Sequence, residues 1–175
     1  MTASTCRAYP ENAPMTELKT GELFAVMALR FWAAAYKEPS DERYRWQAGF
    51  VAADISDEGA TAFNALFLIV ATAAQRPLDV RCPKCLSLGD DEAAFLQILS
   101  LLQRDCVTGA ELVLMGWLPP AAVRTALPFI ASLAQAMMER GLRVPQRPTE
   151  DALNHRFTLH GVGIQHGGAS LAMVH

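Results

Sequence analysis

Ser56-Asp57-Glu58-Gly59-Ala60-Thr61-Ala62-Phe63-Asn64-Ala65-Leu66-Phe67-Leu68-Ile69-Val70-Ala71-Thr72-Ala73-Ala74 is the stretch that decides the fold. Ser56 offers a hydroxyl oxygen to the free amides at a helix start, and Asp57 and Glu58 suit the positive end of the helix dipole. From residue 63 to 74 no side chain is charged. A helix apolar on all sides belongs inside a core, so the spacing predicts a central helix with others packed around it.

Outward from that helix the chain repeats the same grammar. Residues 16–37 combine good helix formers with the run Leu23-Phe24-Ala25-Val26-Met27-Ala28-Leu29, broken by Arg30 before Phe31-Trp32, and predict a first helix. Pro39-Ser40 ends it, and Ser40 with Asp41 and Glu42 predicts a second helix reaching about residue 54. Arg76-Pro77 stops the third helix, and residues 77–89 form a polar connector with the short β-prone piece Leu78-Asp79-Val80. Asp90-Asp91-Glu92 then opens a fourth helix with a broad apolar stripe, and Thr108 is expected to cap a short fifth helix ending near Trp117. Leu118-Pro119-Pro120 breaks the chain before a sixth helix over residues 121–140, interrupted by Pro128, where a kink is expected, and ended by Gly141. The expected fold is all-α, a single-domain bundle of about six helices over residues 16–145. Residues 1–15 are expected to be a flexible N-terminus and 146–175 a Gly- and His-rich tail with a short strand at Arg156-Phe157-Thr158-Leu159.

Composition narrows the function. Of 175 residues 51% are hydrophobic and 19% charged, an apolar balance that leaves surface for a partner and predicts a homo-oligomer, a dimer in the first instance. A formal charge of -3 argues against nucleic acid and anionic membrane surfaces, which require clustered excess Lys and Arg. The charge-free stretch through the third helix, residues 59–75, is shorter than the roughly 18–20 apolar residues that cross a bilayer, and residues 1–14 lack a secretory pattern. A cytoplasmic location is expected, in which the four cysteines are thiols unless they bind metal or cycle between redox states.

The chemistry-bearing motif is Cys82-Pro83-Lys84-Cys85 in the connector. Two thiols at this spacing reach one tetrahedral ion, and the motif resembles one knuckle of a zinc ribbon, with Leu86 where glycine often follows and no second knuckle. Cys106 and a tail histidine, His160, are the candidates to complete four ligands around zinc. The same pair also has the spacing of a thiol-disulfide couple, with Arg81 and Lys84 placed to favour the thiolate. The bland alternative is a pair of partly buried small hydrophobes.

Other clusters read as structure. Asp54, Asp57, Glu58 and Asp90, Asp91, Glu92 stand where helices begin and lack calcium-loop spacing, so they read as capping charges. Arg43-Tyr44-Arg45-Trp46 reads as an amphipathic face. His166-Gly167-Gly168 has no G-x-S-x-G companion, and Gly161-Val162-Gly163 lacks the Lys-Ser/Thr and helix of a phosphate cradle. No catalytic constellation emerges.

The stretch from Arg76 to Cys85, followed downstream by Trp117-Leu118-Pro119-Pro120-Ala121-Ala122, resembles segments of small all-helical bacterial proteins, over residues of about 20 to 145. That resemblance implies a helical fold and brings no activity or site. Three functional expectations follow: a non-enzymatic interaction or regulatory protein that self-associates, a zinc-binding module at Cys82 and Cys85, or a thiol-disulfide protein at the same pair.

Overall fold

Ser56 caps the central helix as its sequence predicts, its hydroxyl accepting from the Gly59 amide at 3.2 Å. In the computed structural model, which describes residues 8–147, that helix spans Asp57–Ala73 and is the third of six α-helices among the described residues. The others are α1 (Thr20–Lys37), α2 (Trp46–Ala52), α4 (Asp90–Leu102), α5 (Val107–Leu114) and α6 (Pro120–Glu139), with α3 the central one. They form an all-α, single-domain bundle, and no strand occurs among the described residues. The most extensive packing joins α3 to α6, while α4 contacts α1, α5 and α6.

A chain of rings runs through the core. Trp46 meets Phe50, Phe50 meets Phe63, Phe63 meets Phe67 and Phe67 meets Phe95, at centroid separations of 5.0–5.5 Å. Edge-to-face and tilted pairs of this kind add to the burial of large apolar area. Asn64, the amide inside the charge-free helix, is satisfied by accepting from Trp32 Nε1 at 2.9 Å.

Several boundaries differ from the sequence expectation, each for a local reason. The second helix does not start at Ser40. Asp41 instead accepts from the Arg43 amide at 3.0 Å and binds its guanidinium, closing a 3-10 turn over Glu42–Tyr44 before α2 begins. The first helix begins at Thr20 because Glu22 folds back to accept from the Lys19 amide at 2.6 Å. Cys106, not Thr108, precedes α5. Pro120 occupies the first position of α6, Pro128 lies within it, and Gly141 follows with φ 71°, the left-handed conformation expected past a helix end.

Helix α6 is the one helix among the described residues long and apolar enough to cross a membrane, although Arg124 and Glu139 within its bounds break the charge-free run by which the sequence is read. One face of it, including Val123, Ile130, Leu133 and Met137, is buried in the bundle.

Among the described residues, those before residue 16 already pack against the bundle. Tyr9 and Ala13 are buried, and the Tyr9 hydroxyl donates to Glu22 at 2.6 Å. At the other end Arg147 donates to both Glu22 oxygens, at 2.8 and 3.0 Å, and lies 5.0 Å over the Tyr9 ring. Within the expected flexible N-terminus 1–15, the described residues therefore pack against the bundle. The predicted strand at 156–159 lies outside the described residues.

Candidate dithiol site

The connector between α3 and α4 contains little secondary structure of its own, yet its path is set by two adjacent carboxylates at the start of α4. Glu92 is fully buried and accepts from Arg30 Nε at 2.7 Å and Arg30 Nη2 at 2.8 Å. It also accepts from the Arg81 amide at 3.0 Å and the Gly89 amide at 2.8 Å. Asp91, 3% exposed, accepts both Arg76 terminal nitrogens at 2.8 and 2.6 Å, the Asp79 amide at 2.6 Å and Trp117 Nε1 at 2.8 Å. Together they hold the connector near its beginning, its middle and its end. Glu92 caps the start of α4 through the Gly89 amide, as a helix-start acid is expected to, and Asp91 and Glu92 also anchor the connector.

Arg30 is the centre of the arrangement. It interrupts the apolar run of α1 and is 1% exposed. Beyond Glu92, its Nη1 donates to the Cys85 carbonyl at 2.6 Å and its Nη2 to the Ser87 carbonyl at 2.7 Å. A planar guanidinium with five fixed donors suits this role, since carboxylate and carbonyls are recognised at set angles. The connector is tied on its other side as well. Met15 donates to the Leu86 carbonyl at 2.9 Å and Leu88 donates to the Ala13 carbonyl at 2.8 Å, around an antiparallel bridge between Pro14 and Ser87. Gly89 is required for this path: a Cβ there would stand 2.6 Å from the Asp79 carbonyl oxygen.

The cysteine turn projects from that anchor. The Cys85 amide donates to the Cys82 carbonyl at 3.0 Å, closing the turn, with Cys82 exposed and Cys85 half-buried. Hydrogen bonding from the Cys85 thiol, and next from the Lys84 amide, holds the Cys82 thiol below its ordinary pKa. The same thiol-thiol hydrogen bond, joined by desolvation, raises Cys85. The backbone turn sets the two cysteines side by side. Arg81, expected to act on the thiols, instead donates to Ser87 Oγ and Asn12 Oδ1, each at 2.8 Å. The arginine whose charge reaches both thiols is Arg30.

Of the residues singled out for zinc, the structure brings Cys82 and Cys85 together. Cys106 is exposed at the N-terminus of α5, and no group of three or more His, Cys, Asp or Glu side chains among the described residues is placed to share a metal ion. His160 lies outside the described residues. Sequence reasoning missed Arg30, Arg76 and the connector-binding role of Asp91 and Glu92. One signal was present: a lone arginine inside an apolar helical run must find a partner if that run is buried.

Comparison with models of known families, with curated proteins and with solved structures finds no match for this chain. Over the described residues, the fold and site define a six-helix bundle carrying a braced surface dithiol.

Proposed function

We propose that the protein is a non-enzymatic helical module whose working element is the Cys82/Cys85 turn, and that this turn binds zinc. The observation that carries the reading is the bracing of the turn by buried charge. Replacing a buried ion pair with packed apolar side chains is often neutral or stabilising, so Arg30 and Glu92 are a poor means of gaining stability alone. What they supply is a fixed path for the Cys85 and Ser87 carbonyls, and hence for the thiols. A metal site gains affinity when its ligands are held in position and a second layer of hydrogen bonds orients them. Zinc ligation requires both cysteines as thiolates, so binding releases their protons.

The test is zinc content of protein purified without chelator, together with zinc uptake by the metal-free protein in competition with a chromophoric chelator. Binding lost in Cys82→Ser/Cys85→Ser supports the reading; binding unchanged in that variant, or absent from wild type, refutes it.

The exposure of Cys82 beside a half-buried Cys85 on one turn favours a second reading, thiol-disulfide exchange with Cys82 as the attacking sulfur and Cys85 as the resolving one. Turnover of a disulfide substrate with a dithiol reductant, lost in Cys82→Ser, would support it in place of zinc binding.

A further inference from the structure

Two thiolates satisfy half of a tetrahedral zinc site, which takes four ligands at about 2.3 Å for sulfur. Building on the zinc reading, we propose that the other half is the same turn of a second copy, so that one zinc ion held by four cysteine sulfurs joins two chains. Three observations favour this occupant. The turn faces outward, with Cys82 exposed, and it forms no three-residue ligand group with any neighbour among the described residues. Leu86, directly after Cys85, is 84% exposed, the most exposed of the large hydrophobic side chains among the described residues. A second copy related by a two-fold axis at the metal would bring its own turn and Leu86 against this one. Finally, Lys84 is exposed at the tip of the turn. Zinc with four thiolates carries two net negative charges, and two copies bring one Lys84 each to offset them. A site of two cysteines and two neutral histidines has no net charge and leaves both Lys84 and Leu86 without a role.

The chemistry balances without any redox step. Four thiols, two from each chain, release four protons as four zinc-sulfur bonds form, and the ion remains Zn²⁺. Arg30 contributes by keeping each turn in one conformation, so that little ordering remains to oppose the pairing.

The experiment is analytical ultracentrifugation of the full-length, metal-free protein titrated with Zn²⁺, with free thiols counted in parallel. The expected result is a monomer that becomes a dimer, saturating at one zinc per two chains with both turn cysteines of each chain protected, and reverting on chelation. Leu86→Glu should retain the helical signal of the monomer and shift zinc-dependent dimerisation to protein concentrations roughly tenfold or more higher, because a carboxylate would be buried at the contact. One zinc per monomer would overturn the shared site while leaving the zinc reading intact. No zinc uptake would overturn both, and a dimer that forms without zinc and survives Cys82→Ser/Cys85→Ser would overturn the shared site.

Discussion

Arg30→Met is the substitution whose consequence follows most directly from the geometry. Methionine retains an unbranched stem in the core but removes four donated hydrogen bonds, at 2.6, 2.7, 2.7 and 2.8 Å. Glu92 would keep the Arg81 and Gly89 amides yet remain a fully buried carboxylate without its counter-charge. Removing one member of a buried pair costs about 3–5 kcal/mol, several times the worth of an exposed ion pair. Pairing the change with Glu92→Gln removes the orphaned charge and leaves one acceptor oxygen, for either the Arg81 or the Gly89 amide, which donate to different oxygens of Glu92. The double variant should therefore be more stable than Arg30→Met alone. Urea denaturation followed by far-ultraviolet circular dichroism gives each loss from the midpoint and slope. The Cys85 amide, which closes the turn, should exchange with solvent faster in both variants, because both free its carbonyl from Arg30. A loss below about 1 kcal/mol for Arg30→Met, or a double variant as unstable as the sum of the singles, would refute the assigned role of the pair.

Other perturbations probe separate parts of the molecule. Burial raises the Asp91 pKa, but hydrogen bonds from Arg76, the Asp79 amide and Trp117 outweigh it and leave the group below its ordinary value of 3.8. The stabilisation this provides is complete above the unfolded-state pKa and is lost as pH falls through the lower folded-state value. Asp91→Asn should therefore flatten the acid limb of a stability-pH profile; an unchanged slope below about pH 4 would contradict the assignment. Gly59→Ala should destabilise by about 1–3 kcal/mol despite better helix propensity, because the new Cβ would stand 2.7 Å from Ala136 Cβ and 2.8 Å from Ile55 Cγ2 where α3 crosses α6. Thermal melting checks this, and a stabilised variant would show that the crossing is looser. Limiting iodoacetamide applied to metal-free protein should alkylate Cys82 before Cys85, since Cys82 is exposed and the more acidic thiol. Peptide mass spectrometry showing the reverse order would contradict the described turn.

The fold was largely legible because its signals are local. Ser56 capping α3, the charge-free body of that helix, Pro120 at the start of α6 and Gly141 past its end each act within a turn or two of chain. The candidate site was legible only in its two cysteines. Cys82-Pro83-Lys84-Cys85 announces itself by spacing, whereas its support comes from Arg30, which is 62 residues from Glu92 and 55 from Cys85. No periodicity encodes such a pairing. Asp91 and Glu92 were legible as helix-start acids and hidden as connector anchors, because the same residues serve both purposes once α4 is packed. Ser40 misled for the opposite reason: Asp41 beside it captures Arg43 first and closes a tighter turn.

Whether the braced turn is a metal site is tested most directly by titrating metal-free protein with Co²⁺, whose absorption reports both sulfur ligation and geometry. Sulfur-to-cobalt charge-transfer bands and the intense visible bands of tetrahedral coordination are expected, both displaced by zinc and absent from Cys82→Ser/Cys85→Ser. A spectrum of aqueous cobalt alone in the wild type would contradict the metal site.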